Sequence, residues 1–148
     1  VAGRAGRGDV VGEVIVQTFT PFHAAIQAAR RLDYDGFFDQ EIEFRRELGY
    51  PPFGHLVVIT LRGLKEELVN FSGQSFARAL QPRLGPDVLL AGPTPAPLAR
   101  AKGEYRYQII LRAPTTRSIT TPLKELQRTF TWPEDVAVAV DVDALSLL

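Results

Sequence analysis

The sequence feature that most limits the fold is the stretch Glu41–Leu56, EIEFRRELGYPPFGHL. A charged run with apolar residues at helical spacing (Phe37, Phe38, Ile42, Phe44 and Leu48) meets Gly49 and then two consecutive prolines. Glycine suits the left-handed residue that closes a helix. Pro51 and Pro52 lack amide protons and forbid its continuation. Directly afterwards an apolar strand begins. The chain must therefore switch from helix to strand here, and Tyr50 and Phe53 flank the turn as rings that can pin it.

Beyond the turn, helical and strand patterns alternate in an orderly way. His55–Arg62 reads as a strand with His55, Val57, Ile59 and Leu61 on its core face. Lys65–Leu84 reads as a helix carrying Leu68, Phe71, Phe76, Leu80 and Leu84 on one side. Val88–Ala91 is a short strand, and Gly92–Arg106 is expected to be a long proline-rich connection with a basic end. Tyr105–Arg112 alternates cleanly, with Tyr105, Tyr107, Ile109 and Leu111 against Arg106, Gln108, Ile110 and Arg112. Ile119, Leu123, Leu126 and Phe130 mark a second helix, in which Pro122 suits a first turn better than an interior. Val136–Val142 is the last strand. The order β-α-β-β-α-β implies an α+β, ferredoxin-like split βαβ domain, one antiparallel sheet with two helices on one face.

The part before residue 53 is of another kind. Residues 1–9, VAGRAGRGD, form a glycine-arginine loop in which Arg4 and Arg7 can reach one anion. Gly12–Phe19 reads as a buried strand that needs a sheet the chain does not supply, so it is expected to fray. Phe22–Arg31 and Tyr34–Leu48 read as helices. Val1 opens a chain that contains no methionine, which reads as a piece of a longer protein.

Composition excludes more than it assigns. Lys+Arg and Asp+Glu are both 17, so a nucleic-acid case must rest on a local patch. Without cysteine there is no disulfide and no thiolate metal or catalytic site. His23 and His55 are the only histidines, too few for a histidine-rich metal site. No apolar run is long enough to span a bilayer, and no signal-peptide pattern opens the chain.

The local patch is Arg100, Lys102, Tyr105 and Arg106, where charge can track phosphates and a ring can stack on a base. Tyr105 shares a strand face with Ile109 and Leu111, so its reading as a core residue stands beside the stacking one. The opposite face of the sheet is expected to carry Arg62, Arg106, Gln108, Arg112, Asp141 and Asp143 among Leu56, Val58 and Ile110, an interdomain interface more than a DNA platform. Asp141 and Asp143 are expected to salt-bridge to those arginines, and His55 to be a packed or capping residue.

Taken together these motifs resemble the PriA family of bacterial primosomal replication-restart helicases. The loop with Arg4 and Arg7 resembles motif VI of that family without its leading glutamine. Glu43, Arg46 and Tyr50-Pro-Pro-Phe53 resemble its YPPF signature, with Arg45 also available. Gly92-Pro-x-Pro-Ala-Pro, Arg100-x-Lys102-Gly103-x-Tyr105-Arg106, Gln108 and Asp141-Val-Asp143 resemble its later elements, although Ala144 stands where proline is frequent. The resemblance covers essentially the whole chain.

It implies that residues 1–21 are the tail of a second, truncated RecA-like lobe, residues 22–52 a helical linker, and residues 53–148 the C-terminal domain. It implies a cytoplasmic ATP-dependent 3′-to-5′ DNA helicase as the parent, using ATP with magnesium and a structural zinc, none of which this piece binds by itself. Arg4 and Arg7 would be γ-phosphate arginines, half of a site. Branched or single-stranded DNA, single-stranded DNA-binding protein, other primosome proteins and the remaining helicase domains are the implied partners, with Arg117 as the residue for an acidic protein tail. The competing reading is an interdomain scaffold without DNA affinity of its own.

Overall fold

The computed structural model describes residues 13–144. The chain divides into two compact units, Val1–Glu41 and Ile42–Leu148. In the first, α1 (Ala24–Arg31) is capped by His23, whose Nδ1 accepts from the Ala25 amide at 3.2 Å. Glu13–Thr18, read as strand-like but expected to fray without a sheet, form no ladder and are largely exposed. A strand is held by its neighbours' amides and carbonyls, and the described residues of this unit offer none.

Helix α2 (Tyr34–Leu48) crosses the boundary between the units and ends as the sequence predicts. Gly49 takes φ +60, the Tyr50 amide returns to the Arg45 carbonyl at 2.8 Å, and the Pro51–Pro52 turn leads out.

The second unit then builds β1 (His55–Gly63), α3 (Glu66–Leu80), β2 (Leu89–Ala101), β3 (Glu104–Ala113), α4 (Thr116–Gln127) and β4 (Ala137–Val142). The sheet order is β2-β3-β1-β4, and every neighbouring pair is antiparallel. This is the ferredoxin-like split βαβ arrangement.

Alternation decides the faces. Val57, Ile59 and Leu61 of β1 and Ile109 and Leu111 of β3 are fully buried against Val69, Phe76 and Leu80 of α3 and Ile119, Leu123 and Leu126 of α4. Each such aliphatic side chain contributes about 1.5–3 kcal/mol of burial. Phe76 also anchors an aromatic cluster, with Phe130 edge-on at 5.0 Å and Trp132 tilted at 4.7 Å between centroids.

Three expectations need correction. The proline-rich stretch is not a connection: Leu89–Ala101 is strand β2, with register shifts between Ala91 and Thr94 and between Pro95 and Arg100. Proline is tolerated there because β2 is an edge strand, where amides on one side need no partner. Helix α3 stops at Leu80 instead of Leu84, followed by a 3-10 turn at Gln81–Arg83 that contains Pro82. Pro122 lies inside α4, not in its first turn; Thr115 caps the helix by accepting from the Ser118 amide at 3.3 Å. Buried Ile119, Leu123 and Leu126 on both sides of Pro122 offset the lost helix bond.

Trp132 is the only tryptophan, so it reports on this core. Phe76→Ala is expected to cost about 3–5 kcal/mol, read as an earlier midpoint in urea unfolding followed by Trp132 fluorescence. A loss below about 1 kcal/mol would contradict the assignment of Phe76 as the centre of the core.

Candidate nucleic-acid interface

The basic patch is organised by the β2–β3 hairpin. Arg100 pairs with Tyr105 and Ala101 with Glu104, leaving Lys102-Gly103 as a two-residue turn. Lys102 has φ 52 and Gly103 φ 85, the two positive values that a tight hairpin of the type I′ kind requires. Lys102 therefore stands at the tip, exposed.

Register separates the other three expected residues. Directly paired residues share a face, so Arg100 lies with Tyr105 on the helix-bearing side, and its guanidinium sits 5.0 Å from the ring centroid. Arg106 lies on the opposite side, directly across from Arg62 of β1. Two like charges in that position repel. Glu104 partly offsets this, at 3.8 Å from Arg62. The structure thus brings Arg100, Lys102, Tyr105 and Arg106 to one end of the sheet but spreads them around the hairpin. Tyr105 is half-buried, with Arg100 over its ring. Arg62 joins the patch through β1–β3 pairing, a long-range relation that local sequence does not carry.

Tyr107 fixes the base of the hairpin to the start of α3. Its hydroxyl donates to Glu66 Oε1 at 3.0 Å. That hydrogen bond, then burial, then the charge of Glu66 raise its pKa above the ordinary 10.0.

The helix-free face departs from expectation. Leu56 and Val58 are buried and form a small cluster with Ala144, against which Ile110 packs, and Gln108 is buried as well. It is not an open aliphatic surface. Asp143 does not pair with an arginine. It lies 3.0 Å from His55 Nδ1, which is also 2.8 Å from Thr116 Oγ1, and its amide donates to the Leu56 carbonyl at 2.7 Å. The carboxylate reaches His55 because that residue opens β1 directly beside the end of β4.

Other arginines are taken up by the Pro-Pro turn. Arg46 stacks on Phe53 at 4.7 Å, Arg112 on Tyr50 at 5.3 Å, and Arg45 donates to the Pro51 carbonyl at 3.1 Å. Arg112 also donates to the Leu48 carbonyl, and Arg46 pairs with Glu43. A cleft of about 340 Å³ adjoins this turn, lined by Arg46, Glu47, Phe53, Asp87 and Arg112 among others.

Arg117 is exposed on the first turn of α4, away from the hairpin in sequence and on another element. Lys124 and Arg128 come at i+7 and i+11, also exposed, so the three share one helical face. That spacing is legible in the sequence, although only Arg117 stood out there. Arg4 and Arg7 lie outside the described residues. Among the described residues there is no group of three or more His, Cys, Asp or Glu side chains that could hold a metal. No helix among them is long and apolar enough to cross a membrane.

Comparison with known proteins bears on this geometry. Residues 46–145 match the family model for the primosomal protein N C-terminal domain. Proteins named replication restart protein PriA are 37% identical over 147 residues in Synechocystis sp., covering 99% of this chain and 17% of that protein. The Bacillus subtilis protein is 35% identical over 126 residues, covering 85% and 16%. The Treponema pallidum protein is 36% identical over 151 residues, covering 100% and 22%. The chain spans about a fifth or less of the length of these curated relatives.

The Tyr107 proton gives a pH test. Its folded pKa lies above its unfolded value, so its stabilising effect is complete below pH 10 and is lost as pH rises through the folded pKa. The stability difference between the parent and Tyr107→Phe should therefore move in favour of the phenylalanine variant above pH 10, measured by urea unfolding across the alkaline range. Parallel stability curves for the two proteins would refute it.

Proposed function

This chain belongs to the primosomal protein N C-terminal domain family, and from that premise we propose that it is a DNA-binding and protein-docking domain of a replication-restart helicase. The observation that carries the DNA reading is the concentration of Arg62, Arg100, Lys102 and Arg106 at one end of the sheet, in a chain whose formal net charge is +0. Within the hairpin turn and its flanks Glu104 is the only carboxylate. Lys102 stands on the two-residue turn and Arg100 flanks it on β2, a placement suited to the phosphates of a branched or single-stranded DNA. Tyr105 already has Arg100 over its ring, so its part in this reading is to orient Arg100, with base stacking secondary.

The docking reading rests on α4. Arg117, Lys124 and Arg128 form an exposed basic face, and no ion pair among the described residues engages them. A short acidic peptide fits such a face through charge-assisted hydrogen bonds. In this reading the peptide is the acidic tail of single-stranded DNA-binding protein. In the parent protein, ATP-driven unwinding and assembly with other primosome proteins would use domains beyond this piece, with Arg4 and Arg7 serving the motor.

The DNA reading is tested with a labelled forked DNA at two salt concentrations. The parent chain should bind and weaken with salt, and the triple variant Arg100→Ala, Lys102→Ala, Arg106→Ala should lose most of the affinity. If all three touch single-strand phosphates, the slope of log affinity against log salt flattens by about 2 units. Absence of binding by the parent at low salt would leave the scaffold reading in its place.

A further inference from the structure

The two edges of the sheet are built differently. Strand β2 carries Pro93, Pro95 and Pro97 at alternate positions and two register breaks. Each of these prolines lacks an amide donor and the register breaks interrupt the ladder, both recognised protections of an edge. Strand β4, Ala137–Val142, has no proline, no lysine and no register break in its pairing with β1. Val140 and Val142 are 36% and 43% exposed.

The direction of its amides follows from one bond. Asp143 donates its amide to Leu56 of β1. In an antiparallel ladder the amides of successive residues point to opposite sides. The amides and carbonyls of Val138, Val140 and Val142 therefore point away from β1, and no strand among the described residues pairs with that side. Their side chains share the helix-bearing face, since Val138, Val140 and Val142 pair with Leu61, Ile59 and Val57.

Charge selects the occupant. Residues 133–143, PEDVAVAVDVD, hold four carboxylates and no basic residue, within a chain of net charge +0. Asp141 is exposed on the face opposite the valines. A strand added here meets Val138, Val140 and Val142 on one face and the exposed Asp141 on the other, while Asp143 is held by His55 and Asp135 lies 3.9 Å from Lys65. We infer that β4 is a docking edge for an extended basic segment of a partner protein, one alternating aliphatic residues with lysine or arginine, which pairs with the free amides of Val138, Val140 and Val142. Asp141 disfavours nucleic acid on its half of the strand, whereas Ala137 at the strand's start pairs with Arg62 of the hairpin patch.

The test uses the whole chain and a fluorescein-labelled octapeptide of alternating lysine and valine. The expected result is binding by anisotropy, with slowed hydrogen exchange at the amides of Val138, Val140 and Val142. Val140→Pro removes an outward donor while leaving the β1 ladder, and should weaken binding at least about tenfold. Asp141→Lys should weaken it likewise and gain binding to a glutamate–valine octapeptide that the parent ignores. Should Val140→Pro fail to fold, as judged by Trp132 fluorescence, the charge swap decides alone. No binding by the parent, exchange protection elsewhere, or indifference to the charge swap overturns the assignment. So does concentration-dependent protection of the same amides without peptide, which would make the occupant a second copy of the chain.

Discussion

Strand β1 is the constraint on which the C-terminal unit depends. It lies between β3 and β4, and it is apolar on both faces. Val57, Ile59 and Leu61 face the helices, while Leu56 and Val58 face the small cluster with Ala144. A one-residue slip would exchange these sets and put Arg62 into the core, so the register of the sheet is tightly specified. That same register sets Arg62 beside Arg106 and sends β4 to the edge. Both proposed surfaces, the basic hairpin end and the acidic strand, result from where β1 sits.

The arginines divide into those used by the fold and those left over. Arg45, Arg46 and Arg112 surround the Tyr50–Phe53 turn, stacking on rings or donating to carbonyls. A planar guanidinium can stack on an aromatic face and donate in its own plane, which an ammonium does less well. The turn motif is therefore explained by structure: it joins the end of α2 to the start of β1. Among the described residues Lys102, Arg117, Lys124 and Arg128 are exposed at the surface, Arg100 is exposed but stacks on Tyr105, and Arg106 is half-buried. A distribution of this kind lets a chain of balanced charge attract anions in one place and repel them in another.

The fold was legible to a large extent because its signals are local. Period-two alternation marked β1, β3 and β4, and helical spacing marked α2, α3 and α4, each within a few residues. The proline-rich β2 was not legible as a strand, since its edge position is a property of the sheet and not of the segment. Glu13–Thr18 agree with the expectation of fraying: their composition suits a strand, but no partner exists among the described residues. In the candidate site, Arg100, Lys102 and Arg106 were legible as a basic cluster. Their separation onto two faces, the stacking of Arg100 on Tyr105 and the pairing of His55 with Asp143 were not.

The sequence by itself determined the order of the elements, the α+β class, the core face of β1, the alternation of β3 and the place where charge collects, because these depend on spacing along the chain. Only the tertiary structure decided which strands neighbour one another, which edge is sealed by proline and which is open, and which arginines are consumed by the turn. Those outcomes depend on contacts between residues as far apart as His55 and Asp143. Such contacts form only when β1 is clasped between two antiparallel partners, and no local pattern encodes that meeting.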